Sequence, residues 1–382
     1  MTKIRLITIS AIPTGYANRF YQRDPSLSSQ SYETQYRAIM DDCFSFADFW
    51  KKNLEKTGKY EVWAILINVE PLQKKWAEEH NIKYSNENWV TEIISDQISS
   101  FKPDVIFDEC ASLSEKMRRD VKKQNPSVKL MIAWDGILLH DTKYFAGYDM
   151  MLSCVKETSD YYSHNGFIGY FFSFGFEKNI LQKITPNREK YDVSFIGSLV
   201  MDNNFHKNRL DFLVEISKRA KLRTWLADFP SVWQPFDKIW IKRARSRAFR
   251  EHRDILLRLA LINHPAVYGV KMYQTLADSK ITLNMHATRF AGNMRLLEAT
   301  GVGTCLLTDD LENIRNYFEP DKEIVTYKSI PEAVEKIKYL LSHDKERKAI
   351  ALAGQKRTLE HYSSEIRLRA FADFLEKQLT LL

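Results

Sequence analysis

Two hydrophobic rhythms alternate along the chain. Short apolar runs recur at Ile4 to Ser10, Tyr60 to Asn68, Val105 to Phe107, Val128 to Ala133, Asp149 to Ser153 and Ile168 to Phe172. In the second run Val62, Ala64 and Leu66 alternate with other residues, the period-two signature of a strand. Between the runs lie segments that read as helices: Ser31 to Lys56, rich in aromatics, then Pro71 to His80 and Trp89 to Ser99. Strands and helices alternating in this way predict a Rossmann-like α/β domain. Phe174 to Arg188 interrupts the rhythm and reads as an interdomain passage, after which strands resume at Tyr191 to Ile196 and Leu222 to Leu226.

The most regular stretch is Tyr268 to Lys328. A helical pattern through Met272 and Leu276 runs into a strand, Ile281 to Met285. A loop with His286, Arg289 and Gly292 leads to a helix, Asn293 to Thr300, with Gly301 expected as its C′ glycine. Thr304 to Leu307 reads as a buried strand. Asp309 and Glu312 look like a capping-box start for a helix, and Glu323 to Tyr327 like another strand. Ser329 and Glu332 form a second capping box, opening a helix from Pro331 to Leu341. Asp344 to about Tyr362 and residues 364–380 read as two further helices. In parallel units of this kind functional groups gather at the carboxyl ends of the strands.

Length and composition narrow the class. At 382 residues two domains are expected, and 44% hydrophobic with 13% aromatic content marks a globular chain. No apolar run approaches the roughly 18 residues of a membrane span, and the opening MTKIRLITISAIP reads as a strand rather than a signal peptide. Cys43, Cys110, Cys154 and Cys305 lack C-x-x-C spacing, which points to reduced thiols in the cytoplasm and against a zinc site. A net charge of +7 suits an anionic substrate or an anionic membrane and is too weak to argue nucleic acid.

Charge also changes the picture locally. Between Pro230 and Pro265, Lys238, Lys242, Arg243, Arg245, Arg247, Arg250, Arg253 and Arg258 are interleaved with Trp233, Phe236 and Trp240. Residues 233–258 read either as a basic amphipathic helix in peripheral contact with the inner face of a membrane, or as a solvated helix packed on its own domain. Three acids stand at strand ends: Asp108, Glu109 and Asp135. Each reads either as a loop carboxylate or helix cap, or as a group that accepts a proton from an attacking hydroxyl or stabilises a cationic transition state. Asp135 ranks first, because Gly136 should free the backbone to expose it, and Asp108 second. Gly15 is expected to open a tight turn after the first strand. Gly197 and Ser198 end a strand with small residues that admit a ligand to the backbone; His206 and Arg209 follow, and a cation there could neutralise a diphosphate. Arg209 reads equally well as a surface helix residue.

One motif carries a resemblance. Asn284 and, nine residues on, N-M-R-L-L-E-A-T-G-V-G-T from Asn293, L-L-T-D to Asp309, and F-E-P-D-K-E-I-V-T-Y to Tyr327 resemble the donor half of GT-B glycosyltransferases. The nearest likeness is to the CgeB-like, spore-maturation-type group related to retaining family 4. The resemblance implies two Rossmann-like domains facing across a cleft, residues 1–173 for the acceptor and 174–362 for the donor, with 363–382 a helix crossing back to the first. It implies that Glu298 accepts hydrogen bonds from the ribose hydroxyls of a nucleotide sugar. It further implies that the Gly15 loop touches donor phosphate or acceptor, that Gly197, Ser198 and either Arg209 or Lys271 lie near donor phosphates, and that Asn284, Asn293 and Arg295 lie near the sugar diphosphate. Family 4 members usually carry a glutamate eight residues before the one matching Glu298, and this chain has Phe290 there. The sugar contact then falls to His286, Arg289 or Asn293, and His286 joins Asp135 and Asp108 as a catalytic candidate.

The expected reaction is transfer of a sugar from a nucleotide sugar, a UDP-sugar favoured, to a hydroxyl of a glycan, glycolipid or other acceptor. Retention of configuration follows from the resemblance. No D-x-D triplet stands at a strand end, so neither a metal nor a cofactor is expected. The alternative is a GT-B shell that binds sugar nucleotides without turnover, favoured by Phe290. Glu298 has a local alternative too: Arg295 lies three residues before it on one helix, a pairing that contributes only about 0.2–0.5 kcal/mol.

Overall fold

The computed structural model describes residues 3–136, 141–186, 188–199, 207–227, 229 and 253–381, the side chains of 207 and 253–256 excepted. The chain divides into two compact units, Met1–Glu177 with Ser364–Leu382, and Lys178–Ser363.

The first unit is built on six parallel strands: β1 (Ile4–Ser10), β2 (Tyr60–Leu66), β3 (Val105–Asp108), β4 (Leu130–Trp134), β5 (Met150–Ser153) and β6 (Ile168–Phe171), in the order β2-β1-β3-β4-β5-β6. Its helices are α1 (Thr14–Arg23), α2 (Tyr32–Asp41), α3 (Phe49–Glu55), α4 (Glu70–Glu79), α5 (Trp89–Phe101), α6 (Glu115–Gln124) and α7 (Lys156–His164). Successive strand residues serve opposite faces. Leu6, Val105, Phe107, Leu130 and Ile132 pack in one buried cluster, and Ile7, Ile9, Ile106, Met131 and Ala133 in another. A sheet covered on both sides needs apolar residues at every position, which is why these strands read as continuous runs.

Two local expectations fail here for backbone reasons. The helix expected from Ser31 to Lys56 is two helices, α2 and α3. Between them Cys43, Ser45 and Ala47 sit at φ of 55°, 55° and 41°, a region closed to a right-handed helix. Gly15 forms no separate tight turn but lies in the first turn of α1. The N–H groups of Tyr16 and Ala17 both donate to Pro13 O, at 2.9 and 3.1 Å, and α1 begins at once.

The second unit carries five parallel strands, β7 (Tyr191–Ser198), β8 (Leu222–Ala227), β9 (Ser279–Leu283), β10 (Cys305–Asp309) and β11 (Val325–Tyr327), ordered β11-β10-β9-β7-β8. Among its described residues the helices are α8 (Lys207–Arg219), α9 (Arg253–Ile262), α10 (Gly269–Ala277), α11 (Met294–Gly301), α12 (Ile330–Ser342) and α13 (Asp344–His361). Helix α11 runs through Gly301 instead of stopping there. The left-handed residue is Gly303, at φ 82°, with Thr304 N–H donating back to Ala299 O at 3.0 Å. After β10 the chain forms a short 3-10 turn, Glu312–Asn316, where a capped helix was expected. Ser329 does cap α12, its hydroxyl accepting from Glu332 N at 3.3 Å, while the Glu332 carboxylate accepts from Lys328 N at 2.8 Å.

Helix α14 (Ser364–Thr380) returns to the first unit. Leu368, Phe371, Ala372 and Leu375 join the cluster under β1 and β3, where Trp50 meets Phe107, Phe172 and Phe371 at ring separations of 4.7, 5.6 and 5.0 Å. Among the described residues no helix is long and apolar enough to cross a membrane.

Candidate functional site

In the second unit the carboxyl ends of β7, β9, β10 and β11 lie side by side. Leu283 pairs with Leu307 and Asp309 with Tyr327. The offset of 24 between β9 and β10 carries His286, three residues past β9, to the end of β10. There Asp309 takes hold of it twice. The His286 backbone N–H donates to the two carboxylate oxygens at 3.1 and 3.3 Å, and ring Nδ1 lies 2.7 Å from Oδ1. The Thr308 hydroxyl donates to the same Oδ1 at 2.9 Å. Burial works against the Asp309 charge, but the hydrogen bonds from the His286 ring and backbone and from Thr308 outweigh it and hold the carboxyl below its ordinary range. The carboxylate accepts, so Nδ1 carries the proton, and in the neutral ring Nε2 is left as a bare acceptor. It is buried and has no hydrogen-bond partner. Asp309 was legible in the sequence only as a helix cap; its actual role is to hold His286.

Neighbouring groups lock the same strand ends. Asn284 and Asn293 exchange amide hydrogen bonds of 3.2 and 2.8 Å, and Asn284 also donates to the Thr308 hydroxyl at 3.1 Å. Asn293 stands at the N-cap of α11, yet its side chain makes no capping bond. Tyr327 donates to Asn284 O at 3.1 Å, and Asn313 bonds both the N–H and the carbonyl of Ala291. The Arg209 guanidinium donates to Ser198 O and Met285 O, each at 2.8 Å, tying the end of β7 to the chain after β9. Burial lowers its pKa, and the charge of Asp309 opposes that shift. Arg209 is therefore a buried cation at the strand ends, not a surface helix residue. Gly197 lies at the end of β7, where an added Cβ would come 3.1 Å from the Phe195 ring.

Glu298 lies in the second turn of α11, 9% exposed. Its carboxylate is 2.7 Å from Arg295, whose guanidinium also approaches the Met272 sulfur at 3.5 and 3.6 Å. The local pairing anticipated for these two residues is thus formed. Lys271 is exposed on α10, and Arg289 is exposed with its guanidinium 4.7 Å from the Phe290 ring centre. Most of the basic stretch 233–258, with Trp233 and Trp240, lies outside the described residues, as does His206.

In the first unit the three acids differ sharply. Asp108 is fully buried, and both its oxygens are engaged: Oδ1 accepts from Ser112 N and Oγ at 2.9 and 2.8 Å, Oδ2 from Leu113 N and Tyr148 OH at 2.8 and 2.6 Å. Asp135 is 4% exposed and accepts from Tyr162 OH at 2.7 Å, so Gly136 does not bring it to the surface as expected. Glu109 is buried at the end of β3, with one oxygen accepting from the Ser10 hydroxyl and the other without a partner.

Glu109 gives the fold a pH dependence. Burial pushes its carboxyl from 4.5 up to about 8; the Ser10 hydrogen bond opposes the shift and the Asp108 charge adds to it. The folded chain keeps a proton there that the unfolded chain releases. The stability due to this group is full below pH 4.5 and is lost as pH rises through about 8. Glu109→Gln should flatten that dependence, reducing the change in unfolding free energy between about pH 5 and pH 9 by on the order of 4 kcal/mol in urea titrations. An unaltered pH slope would mean that Glu109 is ionised in the folded chain.

Comparison with known proteins bears on the whole chain. Residues 238–373 match a family model described as glycosyl transferase-like. No curated protein sequence matches the chain. Among solved structures it is similar to a glycosyltransferase from Rickettsia africae ESF-5, 11% identical, covering 99% of both chains with a TM-score of 0.58. A sucrose-phosphate synthase from Thermosynechococcus elongatus is 8% identical over 100% of both chains, with a TM-score of 0.59. Anabaena Alr3699/HepE, solved in complex with UDP-glucose, is 10% identical over 98% of this chain and 100% of its own, with a TM-score of 0.58. Likeness at such identities is likeness of fold: the chain has the GT-B architecture of two Rossmann-like units, and most of its glycosyl transferase-like segment lies in the second.

Proposed function

We propose that this chain transfers a sugar from a nucleotide sugar to an acceptor hydroxyl, with the second unit holding the donor and the first serving the acceptor. The observation that carries the reading is the set of polar groups at adjoining strand ends in the segment that matches the family model: Asn284, His286, Asn293 and Asp309, with Arg209 joining β7 to β9. Such an array suits a ligand with many hydroxyls and a diphosphate. Arg209 and Arg295 supply positive charge for the leaving diphosphate, which favours a metal-independent reaction. Retention of configuration rests on the family 4 resemblance. HepE, solved with UDP-glucose, supports a UDP-sugar as the first donor to try.

The test is a panel of UDP-glucose, UDP-galactose, UDP-N-acetylglucosamine, GDP-mannose and dTDP-glucose, read by thermal stabilisation and by release of labelled sugar. A ligand at 100 times its dissociation constant should stabilise the fold by about 2.7 kcal/mol. Binding of none would refute the reading. Binding without turnover on any hydroxyl acceptor or on water would favour the second reading, a non-catalytic sugar-nucleotide binder, for which Phe290 beneath the Arg289 guanidinium is the specific observation.

A further inference from the structure

The geometry points to His286 and Asp309 as a receptor for one hydroxyl of the bound nucleotide sugar, with Asp309 the positioning residue and His286 Nε2 the hydrogen-bond acceptor. The inference rests on the donor reading above and deepens it. Asp309 holds the backbone N–H and the ring Nδ1 of the same residue, so it sets both the position of the ring and its tautomer. A histidine oriented in this way presents a lone pair at its far nitrogen. That nitrogen is buried and unpartnered, and the His286 side chain is only 2% exposed. Buried acceptors without donors are rare in folded chains, because desolvating such a group without a hydrogen bond is unfavourable.

The surrounding donors are directed elsewhere. Thr308 donates to Asp309, Tyr327 to Asn284 O, and Arg209 to Ser198 O and Met285 O. The chemistry of the missing partner follows from the lone pair. A phosphate oxygen would face it acceptor to acceptor, whereas a hydroxyl donates to it. Both the transferred sugar and the ribose carry hydroxyls, and the bare nucleoside diphosphate tells them apart.

The experiment takes the tightest binder of the panel, its bare nucleoside diphosphate, and its singly deoxygenated analogues. Calorimetry is run on the wild-type chain, His286→Phe, Asp309→Asn and the double variant. His286→Phe should weaken the nucleotide sugar about five- to tenfold. One deoxy analogue should bind the wild type equally weakly and be indifferent to the substitution. Asp309→Asn should reproduce the loss in the wild-type background and add nothing in the presence of His286→Phe, a pattern that a merely structural role would not give. An unchanged affinity for the bare diphosphate assigns the hydroxyl to the sugar, and an equal loss assigns it to a ribose hydroxyl that Glu298 then does not hold. The inference is overturned if the variants bind the nucleotide sugar within twofold of wild type, or if every deoxy analogue loses as much in His286→Phe as in wild type. The analogue series on the wild-type chain stands even where a variant folds poorly: no loss with any deoxy sugar or deoxyribose analogue also overturns the receptor. If no panel member binds the wild type, the donor reading fails first, and this one with it.

Discussion

Glu298→Gln is expected to weaken nucleotide binding about ten- to a hundredfold. A carboxylate that accepts both hydroxyls of a ribose makes charge-assisted hydrogen bonds, each contributing roughly 1.5–3 kcal/mol, and an amide can accept only one of the pair well. The loss should disappear with a nucleotide lacking both ribose hydroxyls, since the wild type then has nothing to lose. The ion pair with Arg295 complicates the result in a predictable way. At 2.7 Å, with the two side chains 14% and 12% exposed, that pair must contribute something to the fold. Glutamine keeps an oxygen for Arg295 and should leave the melting temperature nearly unchanged, whereas alanine strands the guanidinium against Met272 and should lower it. Unchanged affinity together with a large fall in melting temperature for Glu298→Gln would make the residue a structural partner of Arg295 alone.

Asp108→Asn should reduce the stability of the first unit by about 2–5 kcal/mol. All four donors around the carboxylate need an acceptor: the Ser112 N–H and hydroxyl on one oxygen, Leu113 N–H and Tyr148 OH on the other. An amide nitrogen in either place faces two donors in a fully buried site. Tyr148→Phe removes one of the four and should cost about 1 kcal/mol. Chemical unfolding measures both, and nucleotide binding should survive in each. Should Asp108→Asn abolish sugar transfer while unfolding at the wild-type denaturant concentration, the carboxylate belongs to the chemistry and not to the fold.

The contrast between these residues shows what a sequence can carry. The α/β alternation was readable because each strand of a sheet covered on both faces must be apolar at every step, as Val105, Ile106 and Phe107 are. The break between α2 and α3 was not, since left-handed Cys43, Ser45 and Ala47 carry no glycine to announce it. Strand-end acids were found by position, but position does not reveal partners. Asp108 meets Tyr148 forty residues on, and Asp135 meets Tyr162 twenty-seven residues on, through folding of the sheet. Asp309 illustrates the limit from the other side. Its local context suggests a helix cap, and only the register of β9 against β10 sets it beside His286. The expected strands, Ile281 to Met285 and Thr304 to Leu307, differ from β9 and β10 by one or two residues at their ends, too much to fix which side chains meet.

The return of helix α14 has a consequence for the order in which the protein is made. The second unit is one continuous stretch, whereas the first waits for Leu368, Phe371, Ala372 and Leu375 to close the face that holds Trp50, Leu54 and Phe172. On the ribosome those four residues emerge only after the whole of the second unit. The part synthesised first is therefore completed last, and throughout elongation it carries an aromatic surface open to water. Closure of the first unit waits on the last helix, whatever the second unit has already formed.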